Sequence, residues 1–200
     1  WNSPNARAYW ENILEDEIGK ASLQKQEGSN LERGMDAYAR NDYQTAFSQL
    51  QPLAKNGDGI AQVILGHMYV NGFGVPKNDN QAVTWYRQSA EQGNDSGQYN
   101  LGVMYAVGAG VSQNNIEASR WLELSAEQGH RDAQIMLGQF YRIGKGVSQN
   151  STEALKWQII AQGNGADIGE AIETTENNMT EDEISEAQKL AREWMEKHGK

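Results

Sequence analysis

Three histidines, one glycine-flanked lysine and a scatter of carboxylates are the residue types in this 200-residue chain that suit chemistry. His67, His130 and His198 lie far apart, and no His-Glu-x-x-His pair or other metal-ligand spacing joins them. Neither a metal nor a cofactor is expected. The stretch from Gly138 to Gly146 contains Gly144-Lys145, the dipeptide of a phosphate-binding loop. Its glycine spacing is wrong for such a loop, and no Ser or Thr follows Lys145. Asp and Glu fall at helix starts and in turns, where solvation and the helix dipole account for them. No carboxylate pair recurs in a way that suits acid–base work. The absence of Cys excludes disulfides, thiolate nucleophiles and cysteine-built zinc sites. The expectation is no catalytic residues and no enzyme. Asn94, Asn150 and Asn178 each begin an Asn-x-Ser/Thr triplet. In a eukaryotic secreted chain these would accept glycans, but turns rich in Asn, Ser and Thr generate such triplets by accident.

The elements that carry these residues are set by a repeat. Leu65-Gly66-His67-Met68-Tyr69 returns as Leu101-Gly102-Val103-Met104-Tyr105 and as Leu137-Gly138-Gln139-Phe140-Tyr141. The step is 101 − 65 = 36, then 137 − 101 = 36. The same step relates Gly72, Gly74, Val75, Ala82 and Trp85 to their counterparts in the next two copies. A fixed period of this size means stacked supersecondary units. Each unit reads as helix, Gly-rich turn, helix. Leu65 and Tyr69 share one helical face over 61–71, Gly72-x-Gly74 breaks the helix, and Ala82, Trp85, Tyr86 and Ser89 share a face over 80–91. Gly66, Gly102 and Gly138 inside helices each cost about 1 kcal/mol against Ala, which a close helix crossing would offset. Trp85, Trp121 and Trp157 are expected to fill the space between units.

The predicted fold is therefore all-α, an α-solenoid of stacked antiparallel helix pairs with capping helices at both ends. Residues 1–30 form an N-terminal extension. Residues 31–178 form the array, with a divergent half unit at 31–58 and repeats at about 59–94, 95–130 and 131–166. Residues 179–200 form a C-terminal cap. In the half unit, Gly34, Tyr38, Tyr43, Ala46 and Leu50 keep helix-pair spacing, with Asn41-Asp42 as the turn. Thr180-x-x-Glu183 is a capping box opening a helix with Ile184, Ala187, Ala191 and Trp194 on one face. In the extension, Ser3-Pro4 suits a helix start, Trp10, Ile13, Leu14, Ile18 and Ala21 form an apolar stripe, and Gly28-Ser29-Asn30 reads as a break. That stripe suits a capping helix. It also suits an amphipathic ligand for a groove of its own or of a second copy, or a foreign segment joined through a linker.

The run Leu-Gly-x-x-Tyr-x-x-Gly-x-Gly-Val, then Ala-x-x-Trp, then Ala-Glu-Gln-Gly at 90–93 and 126–129 resembles the Sel-1-like repeat (SLR) family, relatives of the tetratricopeptide repeats. The likeness covers roughly 31–197, and Met179 to Trp194 resembles the closing helix of many bacterial members. The third copy loses Ala-Glu-Gln-Gly at Ile160-Ala161-Gln162-Gly163, which suggests an irregular second helix or a shifted turn. The resemblance implies an adaptor in assembly, signalling or envelope processes, an envelope regulator or an immunity protein. It implies a bacterial source, and with it that the Asn-x-Ser/Thr triplets are accidental. A cysteine-rich branch of the family is associated with β-lactam hydrolysis, but this chain has none of its cysteines. The resemblance, with a chain that starts at Trp1, sets the expectation of a periplasmic or secreted protein, with the cytoplasm as the alternative. A processed N-terminus and a trimmed one would look alike here.

A formal charge of −10, from 17 basic and 27 acidic residues, argues against nucleic acid or an anionic membrane as partner. No apolar run is long enough to span a bilayer. The expected partner is another protein, with self-association through residues 1–30 as a further possibility. The first helix of each pair should line the concave side of the superhelix. The candidate groove positions are Val63, Tyr99 and Ile135; His67, Val103 and Gln139; Val70, Ala106 and Arg142; and Met35 and Tyr38 in the half unit. Several are apolar or aromatic where a merely solvated helix would carry Lys or Glu, and such a patch marks an interaction site.

Overall fold

The structure, a computed structural model, describes residues 30–199. Among the described residues there are helices and no strands. We number them α1 (30–39), α2 (Tyr43–Lys55), α3 (Gly59–Asn71), α4 (Asp79–Glu91), α5 (Asp95–Val107), α6 (Asn115–Glu127), α7 (Arg131–Ile143), α8 (Ser151–Gly163), α9 (Gly169–Glu176) and α10 (Glu181–Lys197). Each helix from α2 to α8 packs on the next, and α10 packs on α8. The result is the expected α-solenoid of stacked pairs.

Cap chemistry repeats with the same period. Asp58, Asn94 and His130 cap the first helices, accepting from the N–H groups of Ala61, Gly97 and Ala133. Asn78, Asn114 and Asn150 cap the second helices in the same way. Each such acceptor satisfies one of the orphan N–H groups at a helix start. Two of the three Asn-x-Ser/Thr triplets are thus built around capping asparagines, Asn94 and Asn150.

The glycines inside the first helices sit at close crossings. A Cβ on Gly66 would collide with the Tyr86 ring, one on Gly102 would lie 3.0 Å from Leu122, and one on Gly138 would lie 3.2 Å from the Ala154 carbonyl. The half unit is a complete pair with the same crossing. A Cβ on Gly34 would lie 2.6 Å from Leu50. Here 86 − 50 = 36 but 66 − 34 = 32, so its turn is four residues shorter. Asn41 takes the left-handed conformation there, at φ 62°.

The tryptophans sit where units meet. Trp85 packs on the cluster of Leu50, Leu65 and Met68, Trp121 joins Val83, Leu101 and Met104, and Trp157 joins Leu137 and Phe140. Arg120 and Lys156 lay their cations over the faces of Trp121 and Trp157, 4.3 and 4.6 Å from the ring centres. The capping box of α10 forms as expected, with Thr180 and Glu183 bonded reciprocally. Ala187, Ala191 and Trp194 are buried and Ile184 half-buried.

Two expectations are corrected. The third copy is regular: α8 spans Ser151–Gly163, as long as α4 and α6, and Gly165 holds φ +87° where Gly93 and Gly129 hold +87° and +94°. The lost Ala-Glu-Gln-Gly is tolerated because Asn164 keeps an amide at the position of Gln92 and Gln128. Asn30 is helical and not part of a break. Gly28, Ser29 and the apolar stripe from Trp10 to Ala21 lie outside the described residues.

Candidate functional site: the face of the first helices

The candidate positions fall on α1, α3, α5 and α7. Val63 and Val70 are half-buried against the cluster of Ala82, Tyr86 and Leu101. His67 meets Tyr86 edge-on, with ring centres 5.9 Å apart, and hydrogen-bonds Asn100 of α5. Tyr99 stacks on His130, the N-cap of α7, at 4.7 Å. These two contacts tie α3 to α5 and α5 to α7 along the candidate face. Val103 and Ile135 are half-buried, while Gln139 and Arg142 are exposed. On α1, Met35 is exposed and Tyr38 meets Tyr43 edge-on at 5.6 Å.

Ala106 is the exception. It is 2% exposed and packs with Ala118, Leu122 and Phe140. Its single methyl sinks into the core, where the Val70 and Arg142 side chains of the equivalent positions stay nearer the surface. The exposed apolar positions are one residue later, at Val107 and Ile143, 62% and 55% exposed. Both close their helices just before the left-handed Gly108 and Gly144.

Electrostatically the face is neutral at its rings. Burial pulls the His67 imidazole below its ordinary value, with the Asn100 hydrogen bond opposing. Burial and the Asp132 carboxylate push the Tyr99 phenol up, and burial followed by Tyr43 does the same for Tyr38. The phenols therefore stay protonated and present a donor beside an apolar ring, the side-chain type that anchors protein interfaces. No group of three or more His, Cys, Asp or Glu among the described residues can hold a metal ion. No helix among them is long and apolar enough to cross a membrane.

At the C-terminal end of this face, Gln139 and Arg142 of α7, Gln158 of α8, and Glu170, Ala171 and Thr174 of α9 line a cavity of about 300 Å³. Gln158, Glu170 and Thr174 were missed in the sequence, although a signal was present. Each breaks the 36-residue phase: Tyr86 and Leu122 precede Gln158, Gln62, Gln98 and Gln134 precede Glu170, and Gly66, Gly102 and Gly138 precede Thr174.

Also missed was a buried amide relay. Gln62, Gln98 and Gln134 donate to the carbonyls of Ala54, Ala90 and Ala126. Their side-chain oxygens accept from Gln92, Gln128 and Asn164 at 2.8, 2.7 and 2.9 Å. Ser89 and Ser125 add bonds to the Gly59 and Asp95 carbonyls. This relay links each first helix to the end of the preceding second helix and to the end of its own partner.

Residues 59–94, 95–130 and 131–157 match the Sel1 repeat. Among solved structures, the chain is similar to c5321, described as a protective antigen present in uropathogenic Escherichia coli strains displaying an SLR fold. The TM-score is 0.72 and the identity 32%, over 76% of this chain and 33% of that one. It is also similar to a Sel1 repeat protein from Oxalobacter formigenes, with TM-score 0.64 and identity 36%, over 66% of this chain and 54% of that one. The chain thus spans a third of the first relative and about half of the second. No curated protein matches it. Three in-phase helix pairs, their glycine crossings and these likenesses agree that the chain belongs to the Sel1 repeat family.

Proposed function

We propose that this protein is a binding module whose first-helix face takes a segment of a partner protein. Sel1 repeat proteins generally mediate protein–protein interaction. The observation that carries the reading here is the row Val63, His67, Val70, Tyr99, Val103 and Ile135, half-buried apolar and aromatic side chains of α3, α5 and α7. Contacts between helices fix them in place and leave each of them partly exposed. Rigid, partly desolvated aromatics lose little entropy on docking. Gln139, Arg142 and Met35 supply a polar and adaptable rim. Val107 and Ile143 extend the apolar part of the surface. Ala106 is not in the set, because it is buried.

The test is capture of a partner by the whole chain beside the double variant Tyr99→Ala, Val103→Asp, checked for helix content. Hydrogen exchange on the captured complex maps its footprint. Retention by the parent, loss by the folded variant, and protection along α3, α5 and α7 are expected. Equal retention by both, or protection confined to the second helices, would overturn the reading. As part of the same proposal, the module works outside the cytoplasm, as an envelope adaptor or regulator. The likeness to a protein described as a protective antigen supports this. Recovery of the protein in the cytosolic fraction of its own cells would overturn that part alone.

A further inference from the structure

One core position changes character along the array. Tyr86, Leu122 and Gln158 are 36 apart and occupy the same place, against Gly66, Gly102 and Gly138. The groove residue one position on from each glycine changes with it: His67 with Tyr86, Val103 with Leu122, Gln139 with Gln158. The first unit is aromatic there, the second aliphatic and the third an amide pair. Gln158 is 2% exposed, and its Oε1 is buried without a hydrogen-bond partner. Leaving a buried acceptor unmade costs about 1–3 kcal/mol, and a leucine is accommodated at the equivalent place in the second unit. A polar group retained there at such a cost points to a ligand.

Gln158 lines the cavity of about 300 Å³ at the end of the groove, together with Gln139, Arg142, Glu170 and Thr174. A neighbouring cavity of about 310 Å³ shares Arg142 and Thr174 with it and continues toward Gln149, Ser151 and Asn178. Among the described residues, neither the Arg142 guanidinium nor the Glu170 carboxylate has an ion-pair partner. The lining therefore offers a charged donor on α7, Arg142, and a charged acceptor on α9, Glu170, with the amides of Gln139 and Gln158 able to do either. A carboxylate placed there would meet Glu170, an ammonium would meet Arg142, and an apolar group would leave all of them unmade. A carboxamide answers both sides: its oxygen accepts from Arg142, its NH₂ donates to Glu170, and the Gln158 amide, once turned toward it, pairs with either end. The first cavity lies at the small end of ligand pockets, about 300–1,000 Å³, which suits one side chain. The second leaves room for the flanking backbone.

We propose that this cavity is a carboxamide subsite, which receives an Asn or Gln side chain of the polypeptide docked on the first-helix face. The source of the amide rests on the binding-module reading; the cavity chemistry does not. The experiment is an NMR titration of the whole chain with N-acetyl-glutamine methylamide, beside the glutamate and leucine analogues. Saturable shifts at the side-chain amides of Gln139 and Gln158 are expected with the glutamine compound, and binding at least about tenfold weaker with the other two. Arg142→Ala, at an exposed position, is expected to keep the fold and weaken binding. Gln158→Leu is expected to abolish binding while leaving thermal stability equal to or above the parent's. Equal response to all three compounds, no response to any, or a Gln158→Leu chain that is less stable yet still binds, would overturn the subsite. A partner captured on α3, α5 and α7 with no amide response sinks only this inference. An amide response with no captured partner sinks only the binding-module reading.

Discussion

At the scale of single residues, His67 and the turn glycines are the sites with the clearest consequences. Burial holds the folded-state pKa of His67 below its ordinary value of 6.5. The unfolded chain therefore binds the proton more readily than the folded one over the interval between the two values. This contribution to stability is fully present above 6.5 and is lost as pH falls through the depressed folded value. Thermal melts of the parent and of His67→Phe are expected to run parallel above that window, with the parent falling more steeply inside it. Identical slopes would mean that the imidazole is solvated in the folded state. Gly110 makes the second case. Its φ is +65°, and an added Cβ would run into the Asp79 carbonyl at the start of α4. Gly146 makes the same contact with Asn115 at the start of α6. Gly110→Ala combines left-handed strain with a backbone clash, so a loss of about 2 kcal/mol or more is expected in urea denaturation. Gly93→Ala, at φ +87° but in open space, is expected to lose less.

At the scale of elements, the amide relay decides how pairs join. Gln98 donates to the Ala90 carbonyl at the end of α4 and accepts from Gln128 just past α6. One side chain thus fastens three helices, and it is 5% exposed. Gln98→Ala strands a carbonyl and an amide, so a loss of about 1–3 kcal/mol is expected. A double-mutant cycle with Gln128→Ala is expected to give coupling clearly above zero. Additive effects would mean that water replaces the bond at little cost. The relay also explains how the array stops. At the fourth step, 134 + 36 = 170, the chain carries Glu170, and a carboxylate cannot donate to a carbonyl. Thr174 then stands where a crossing glycine would be needed, and α9 ends after eight residues.

At the scale of the whole molecule, α10 seals what the array leaves open. Trp194 meets Trp157 edge-on, with ring centres 5.9 Å apart, and its indole N–H donates to Glu127 of α6 at 2.8 Å. The cap therefore reaches back across two second helices. Trp194→Ala removes a large, 7% exposed side chain and is expected to cost about 3–5 kcal/mol. Ending the chain at residue 178 exposes Trp157 and Ile160, so light scattering is expected to show association of that form and a single mass for the parent. A truncated chain that stays monomeric and fully helical would make α10 dispensable. Because each unit touches only its neighbours, losses at α10 are expected to spread from the C-terminal end, with exchange protection in α2 and α3 least affected.

The 36-residue period by itself determined the helix pairs and the recurrence of the crossing glycines and the tryptophans, and the Thr180–Glu183 spacing determined the capping box, because each depends on spacing along the chain. The candidate positions on α3, α5 and α7 came from helical phase alone; Ala106 among them is buried, and the others are half-buried or exposed. What only the tertiary structure decided involves contacts between units. Ala106 is buried by Ala118 and Leu122 of α6 and Phe140 of α7, contacts that periodicity does not encode. The buried state of Gln62, Gln98 and Gln134 follows from acceptors contributed by other helices, so in sequence they read as ordinary polar residues. The cavity around Gln158 forms where α9 meets α7 and α8. Its signs were three breaks of phase, at Gln158, Glu170 and Thr174, and their meaning appears only where those residues meet in space.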